Sequence, residues 1–578
     1  SDVLGPRFPP TTGIGSKESI VADAWKNVSA VFDSYLTGDR SKSPELLTGL
    51  ENLTFSLGLW SLHDPSALSL QYHYTSKEVK DGPGVDKVDA DSIYRVASLS
   101  KLFTVFAGLL SFEHGEWDRP ITDFISGLTK DSLNRSSTNP IRSVQWEDVT
   151  LKALAAQIAG VPRAAHPVFA DLAVVLPDPT ALGLPPLEPT DPAIYWPCLA
   201  NLELLLDPTL TIDDICTPEL YLAGQTGSPP AFQPFTSPVY SNNGFVLLGM
   251  ALANITGKPL GEIYPDLIFG PLGMNNSRTI APTNKEEWSQ YVIPGTEGIQ
   301  EWARPGGSTI SSGGLFSSLN DLAKFGIAIM NSTLLPPAIT REWMKPISFS
   351  ASLDFALGAP WEIYRYVHEE SGAVTDIYTK VGDSGNFTGF ACLIPDYDVG
   401  FNVIASMGTN NTLKSVLTWS LADIITTNIL PALEAQAALE ASTKYAGTYK
   451  SSNPALNSSI TISYAAPPRV GVPGLYLESF ISNGTNAYLT LFGGAIRKLQ
   501  PSIREKGEIA MRTVKAGPFD KSLGPFLKMF NENGDWLVVD AQTYGGVGTD
   551  LFVFELGEDG RAKSVEFPAA RVKLGRVE

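Results

Sequence analysis

The apolar residues of this chain change their spacing from region to region, and the spacing predicts the elements. Residues 1–20 are rich in proline and glycine and read as an extended arm, and residues 21 to about 38 read as a helix. Leu53 to Leu62 alternates apolar and polar positions, as a strand does. The run Ser92 to Ala97 predicts another strand, leading into Ser98. From Leu99 to Phe112 the apolar positions cover nearly the whole circumference of a helix, which predicts burial on most sides, with Gly115 as its stop. A second apolar helix is predicted from Phe245 to Ala253. Tyr378–Gly385 and Phe387–Pro395 read as the two strands of a hairpin. Leu417–Leu430 predicts a helix, with Pro431 opening a further one. From Tyr445 onward the pattern becomes short strands at Ile460–Tyr464, Leu475–Phe480, Ala487–Phe492, Trp536–Val539 and Leu551–Phe554, with Glu558-Asp-Gly-Arg as a hairpin turn. That ending predicts an all-β accessory domain, sandwich or barrel, over 441–578. Between about 165 and 237 a proline- and leucine-rich insert predicts a lid or binding loop.

Three motifs on this frame carry chemistry. Ser98-Leu99-Ser100-Lys101 puts a serine and a lysine on one face of a helix. Serine needs a base beside it to act as a nucleophile, and a buried lysine can serve as that base or tune it. The helix start also favours negative charge developing at Ser98. Tyr240-Ser241-Asn242, ahead of the Phe245 helix, offers a phenol to take the serine proton and an amide to orient Lys101 and a substrate. An overlapping S-x-N register, Ser241 and Asn243, stays open. Lys380-Val381-Gly382-Asp383 places a basic residue on a strand, with a glycine that lets substrate approach the backbone. A backbone N–H beyond it can pair with that of Ser98 as an oxyanion hole.

Other chemistries find less support. Gly382-Asp383-Ser384-Gly385 and Ala164-Ala165-His166 echo the motifs of trypsin-like proteases, but the rest of the chain lacks that pattern. The five histidines, His63, His73, His114, His166 and His368, show no metal-ligand spacing, and no cofactor or metal is expected.

Together the motifs resemble the serine β-lactamase and penicillin-binding-protein superfamily, in its class C-like branch with esterases and D-amino-acid peptidases. The stretches Val149–Arg163, Phe269–Met274 and Gly313–Gly326 resemble further landmarks of that family. The resemblance runs from about residue 20 to 430, and the chain also looks like large secreted fungal members with an extra C-terminal domain. It implies an α+β fold: an antiparallel sheet flanked by helices plus a helical subdomain, over 21–440. Carried over, Ser98 is the nucleophile, Lys101 its lysine, Tyr240 and Asn242 the Y-x-N pair, and Lys380 the basic strand residue. The N–H groups of Ser98 and Asp383 form the oxyanion hole beside Gly382. Val381 stands where many β-lactamases have a threonine that helps bind a substrate carboxylate. Asp383 adds negative charge there and is expected to pair with Lys380. Both departures point away from penicillins.

Composition places this chemistry. The chain has 578 residues, 43% hydrophobic and 18% charged, with a net charge of −19 and no basic patch, which argues against a nucleic-acid partner. No uninterrupted apolar run predicts a membrane span. Cys198 and Cys216 are expected to form a disulfide, and Cys392 to stay a buried thiol. Sequons begin at Asn27, Asn52, Asn134, Asn254, Asn275, Asn331, Asn386, Asn410, Asn457 and Asn483, and together they favour secretion and glycosylation. The start at Ser1, without methionine or apolar leader, fits a mature form. The expectation is a secreted serine hydrolase acting on a small-molecule ester, amide or lactam. The alternatives are an acyltransferase of secondary metabolism and a catalytically silent binding protein.

Overall fold

A computed structural model describes residues 4–577 apart from 41–43, 130–138, most of 165–208, 226–227, 296–298, 409–410, 465–473, 517–521, 523 and 533–534. Much of the expected lid, His166, and the sequons at Asn134 and Asn410 lie outside the described residues.

Among the described residues an eight-stranded antiparallel sheet forms the first layer. Its strands are β1 (Thr54–Ser61), β2 (Gln71–Tyr74), β3 (Ser348–Phe349), β4 (Phe355–Leu357), β5 (Glu362–Val367), β6 (Val374–Ser384), β7 (Phe387–Ile394) and β8 (Val399–Ser406). Their spatial order is β2-β1-β8-β7-β6-β5-β4-β3. Both faces are covered, and the residues alternate between two cores as a pleated strand requires. On β1, Phe55, Leu57 and Leu59 enter one core while Trp60 enters the other. On β7, Cys392 and Ile394 oppose Ala391 and Leu393 in the same way.

Six helices matter to the site: α1 (Ile20–Leu36), α2 (Ser100–Ser111), α3 (Asn242–Thr256), α4 (Ile310–Gly313), α5 (Leu319–Met330) and α6 (Asn411–Tyr445). Helices α1 and α6 pack together on one face of the sheet. Helices α2 to α5 build the other side. Helix α2 ends at Ser111, before the expected stop, and Gly115 sits in the next 3-10 turn, His114–Asp118.

Pro431 does not divide α6, which runs unbroken for 35 residues. Proline inside a helix removes one hydrogen bond and costs about 3 kcal/mol. Here Ile429, Leu430, Ala432 and Leu433 are buried on both sides of it, and their burial outweighs that cost. By length and composition the segment Thr412–Tyr445 is apolar enough to cross a membrane, although charged residues such as Asp423 and Glu434 interrupt it. In this fold it packs as a core helix between the sheet, α1 and the C-terminal strands.

Those strands close a barrel rather than a sandwich. They are β9 (Gly447–Lys450), β10 (Ser459–Tyr464), β11 (Leu475–Ser482), β12 (Arg497–Glu505), β13 (Glu508–Lys515), β14 (Leu551–Leu556), β15 (Ala562–Phe567) and β16 (Val572–Arg576). The ladder runs β10-β9-β16-β15-β14-β13-β12-β11, and pairing of β10 with β11 completes the ring. Two expected strands are helical instead. Ala487–Phe492 is a helix because Asn486 caps it, accepting the Leu489 N–H at 3.2 Å, and Gly493 ends it with φ +62°. Asp535–Val538 is a short helix outside the ladder, since β13 pairs directly with β14 and leaves no place for a strand between them.

Candidate active site

The turn that carries Ser98 is built from strain and burial. The expected strand before Ser98 shrinks to Tyr94–Arg95, which pairs with Phe316–Ser317. Ala97 then takes φ +46°, a conformation unusual for a residue with a side chain. A 3-10 turn, Ala97–Leu99, leads directly into α2. Leu99, Leu102, Phe103, Val105 and Phe106 are buried and anchor the turn, while Ser98 is half-exposed above them.

Lys101 lies one turn below and is fully buried. Its Nζ donates to Ser98 Oγ at 2.9 Å, to Asn242 Oδ1 at 2.7 Å, and to the Ser312 carbonyl at the end of α4. From the other side, Tyr240 Oη donates to Ser98 Oγ at 2.6 Å. Three cations surround the Tyr240 ring: Lys101 Nζ at 4.9 Å from its centre, the Arg163 guanidinium at 5.1 Å and Lys380 Nζ at 5.2 Å. Burial pushes Lys101 down to about 8, opposed by the charge of the Tyr240 phenolate and aided by Lys380. Burial pushes the Tyr240 phenol up, but Lys380 and Lys101 outweigh it, and the net direction is down. The two shifts converge on a site that gives up a proton more readily than its parts would in water.

The overlapping motif registers separate cleanly. Tyr240 and Asn242 face Ser98 and Lys101. Ser241 instead caps α3, accepting the Gly244 N–H at 2.9 Å, and donates to the Pro162 carbonyl at 2.7 Å. Asn243 is buried against Tyr221 and Gln225.

Strand β6 forms the opposite wall. Gly382 lets the strand approach the Ala97–Leu99 turn itself: a Cβ there would lie 2.4 Å from the Val96 carbonyl oxygen and 2.6 Å from Leu99 Cδ1. Substrate access is the expected reason for this glycine, and that contact is a second, independent one. Val381 N–H points away from β7, toward Glu362, and strand alternation places the Asp383 N–H on the same edge.

The expected Asp383–Lys380 pair is absent. Asp383 pairs with Lys414 at 2.7 Å and accepts from Ser415, both on α6. Lys380 is buried and pairs with Glu362 at 2.5 Å. Strand register explains the exchange. Glu362 opens β5 opposite Thr379, so its carboxylate lies alongside Lys380, while Asp383 lies further along β6, near the start of α6. Sequence reasoning missed Glu362, Lys414 and the Ser312 carbonyl, since none stands in a local motif.

Ser384 sits at the end of β6, beside the two-residue hairpin turn Gly385-Asn386. The histidines bond elsewhere: His63 with Asp398, His73 with Ser56 and Gln71, His368 with Thr375 and Glu434. Cys198 and Cys216 are joined in a disulfide, and Cys392 is a buried thiol. No cluster of metal-ligating side chains occurs among the described residues.

Residues 70–424 match a family model described as Beta-lactamase. The chain belongs to the β-lactamase family. Residues 437–578, the barrel with the end of α6, match a second model described as Beta-lactamase-like-like, C-terminal domain. The chain is similar to a Beta-lactamase-like protein of Arthroderma benhamiae, 29% identical over 98% of this chain and 94% of that protein's length. The chain is also similar to Probable hydrolase clz13 of Cochliobolus lunatus, 26% identical over 72% of this chain and 65% of that protein. A bacterial relative, D-alanyl-D-alanine-carboxypeptidase/endopeptidase AmpH of Escherichia coli, is 25% identical over 32% of this chain and 49% of its own length.

Proposed function

We propose that this β-lactamase family member is a secreted serine hydrolase that opens an ester, amide or lactam through a covalent acyl-enzyme at Ser98. One observation carries the reading: Ser98 Oγ is bonded at once by Lys101 Nζ at 2.9 Å and Tyr240 Oη at 2.6 Å. A serine held only for structure needs neither a buried ammonium nor a phenol drawn down by two lysines.

The chemistry follows from that geometry. With Tyr240 ionised, its phenolate takes the Ser98 proton as Oγ bonds to the substrate carbonyl carbon. The N–H groups of Ser98 and Asp383 hold the resulting oxyanion. Tyr240 returns the proton to the leaving group as the carbonyl re-forms. Water then attacks the acyl-enzyme with Tyr240 again as base, and Ser98 is regenerated. Lys101 keeps a positive charge beside the phenolate, and Asn242 fixes Lys101. Secretion is supported by the disulfide and by the sequons. Among the eight described, Asn27, Asn52, Asn254, Asn275, Asn331, Asn457 and Asn483 are exposed and Asn386 is half-buried.

Labelling with a fluorophosphonate, followed by peptide mapping, tests the reading. The adduct is expected on Ser98, together with turnover of a p-nitrophenyl ester. An adduct on Ser384, or none on Ser98, refutes it.

A further inference from the structure

We propose that Glu362 makes this site selective for acyl donors that carry no carboxylate. The proposal rests on Ser98 being the acylated nucleophile. The Glu362 carboxylate is divided between two donors on this wall. One oxygen accepts from Lys380 Nζ at 2.5 Å, the other from the Val381 N–H at 2.8 Å. Lys380 is 1% exposed and donates a further bond to the Val381 carbonyl at 2.7 Å, so its ammonium is held on two sides within the protein. The Glu362 side chain is 17% exposed, which leaves the ion pair screened from bulk water. An arriving carboxylate therefore meets a closed pair. To reach Lys380 it must displace Glu362, leaving a second anion nearby with no counter-charge.

The neighbouring positions point the same way. Val381 brings an isopropyl group where a hydroxyl would donate. Asp383 presents no free charge, being turned to Lys414 and Ser415. Lys380 keeps its influence on Tyr240, because a paired cation still lies 5.2 Å from the ring. Glu362 is thus a positioning residue for Lys380 and a barrier to substrate anions at once. The remaining cation is Arg163, exposed over the Tyr240 ring and without a carboxylate partner among the described residues. It is the competing receptor that the test must separate. The substrate class is a neutral ester, lactone or amide.

The experiment uses the full chain and two p-nitrophenyl esters, of glutaric acid and of its monomethyl ester, which differ only in a terminal carboxylate. The wild type is expected to favour the neutral ester in kcat/KM by about tenfold or more. Glu362→Gln keeps the shape and removes the charge, and is expected to move the ratio at least about tenfold toward the carboxylate. A wild-type preference for the carboxylate ester, which Arg163 would produce, overturns the proposal. So does a ratio unmoved by Glu362→Gln in a folded variant. If that variant does not fold, Glu362→Asp, which draws the carboxylate back from Lys380, is expected to move the ratio toward the carboxylate ester, and an unmoved ratio there overturns the proposal instead. Absence of fluorophosphonate adduct at Ser98 removes the hydrolase reading itself. Labelling with the wrong charge preference removes only this proposal.

Discussion

Replacing Gly382 with alanine tests whether the distance between β6 and the nucleophile turn sets the rate. The added Cβ would lie 2.4 Å from the Val96 carbonyl oxygen, 2.6 Å from Leu99 Cδ1 and 3.1 Å from Leu99 N. Carbon atoms prefer about 3.5–4.0 Å, so the Leu99 contact alone asks for a separation of about 1 Å. The Leu99 methyl belongs to a fully buried side chain, and the Val96 oxygen belongs to the backbone. Neither yields without moving the Ala97–Leu99 turn or the strand. Overpacking of this kind typically costs 1–3 kcal/mol in stability, on the order of 2 here. The larger effect is geometric. Ser98 and Asp383 move apart, and a misplacement of about 1 Å costs roughly a hundredfold in rate. Gly382→Ala is therefore expected to lose about two orders of magnitude in kcat on a p-nitrophenyl ester, with a lower melting temperature. Gly115→Ala, where an added Cβ meets nothing within 4 Å, serves as control and is expected to change neither. Wild-type kcat in folded Gly382→Ala would refute the argument that this contact sets the spacing of nucleophile and oxyanion hole.

Ser98→Ala is expected to lose turnover by about 10⁴ or more and all fluorophosphonate labelling, with an unchanged melting temperature. Residual rates near wild type would move the nucleophile elsewhere. The pH profile of kcat/KM on a neutral ester is expected to rise along a limb that belongs to the coupled Lys101–Tyr240 pair. Lys380 lowers both partners, so Lys380→Met is expected to move that limb to higher pH, and a move to lower pH refutes the assignment. The Cys198–Cys216 bridge closes a loop of 18 residues, and replacing both cysteines with alanine is expected to cost about 3 kcal/mol in denaturant unfolding. Non-reduced peptide mapping checks the bridge directly.

The parts of the site legible in the sequence are those whose chemistry lies within one helical turn. Ser98 and Lys101 meet because three residues make almost a full turn of helix, and Tyr240 and Asn242 stand together at the start of α3. The partners that set charge were not legible. Glu362 reaches Lys380 through the register of β5 on β6, and Lys414 reaches Asp383 from a helix near residue 411; neither register nor docking is written locally. The same division holds for the fold. Alternation located the sheet and most barrel strands, but Ala487–Phe492 has a composition that suits strand and helix alike. Its real signals were the cap at Asn486 and the stop at Gly493. Pro431 was a sound local break signal, overridden by buried neighbours that only the assembled core supplies.

Helix α6 also determines how this protein can come apart. Its buried residues from Leu417 to Tyr445 belong to one continuous hydrophobic cluster that includes Phe32 of α1, Leu57 of β1 and Phe554 of β14. The first family match stops at residue 424, in the middle of that helix. A truncation there would remove Ile425, Ile429, Leu430, Leu433 and Ala437 and strip α1 and the sheet of their cover. The barrel is therefore no detachable appendage but the far half of a shared keel. Heat should melt both halves in a single calorimetric transition, and a grafted catalytic portion would have to carry the whole helix with it.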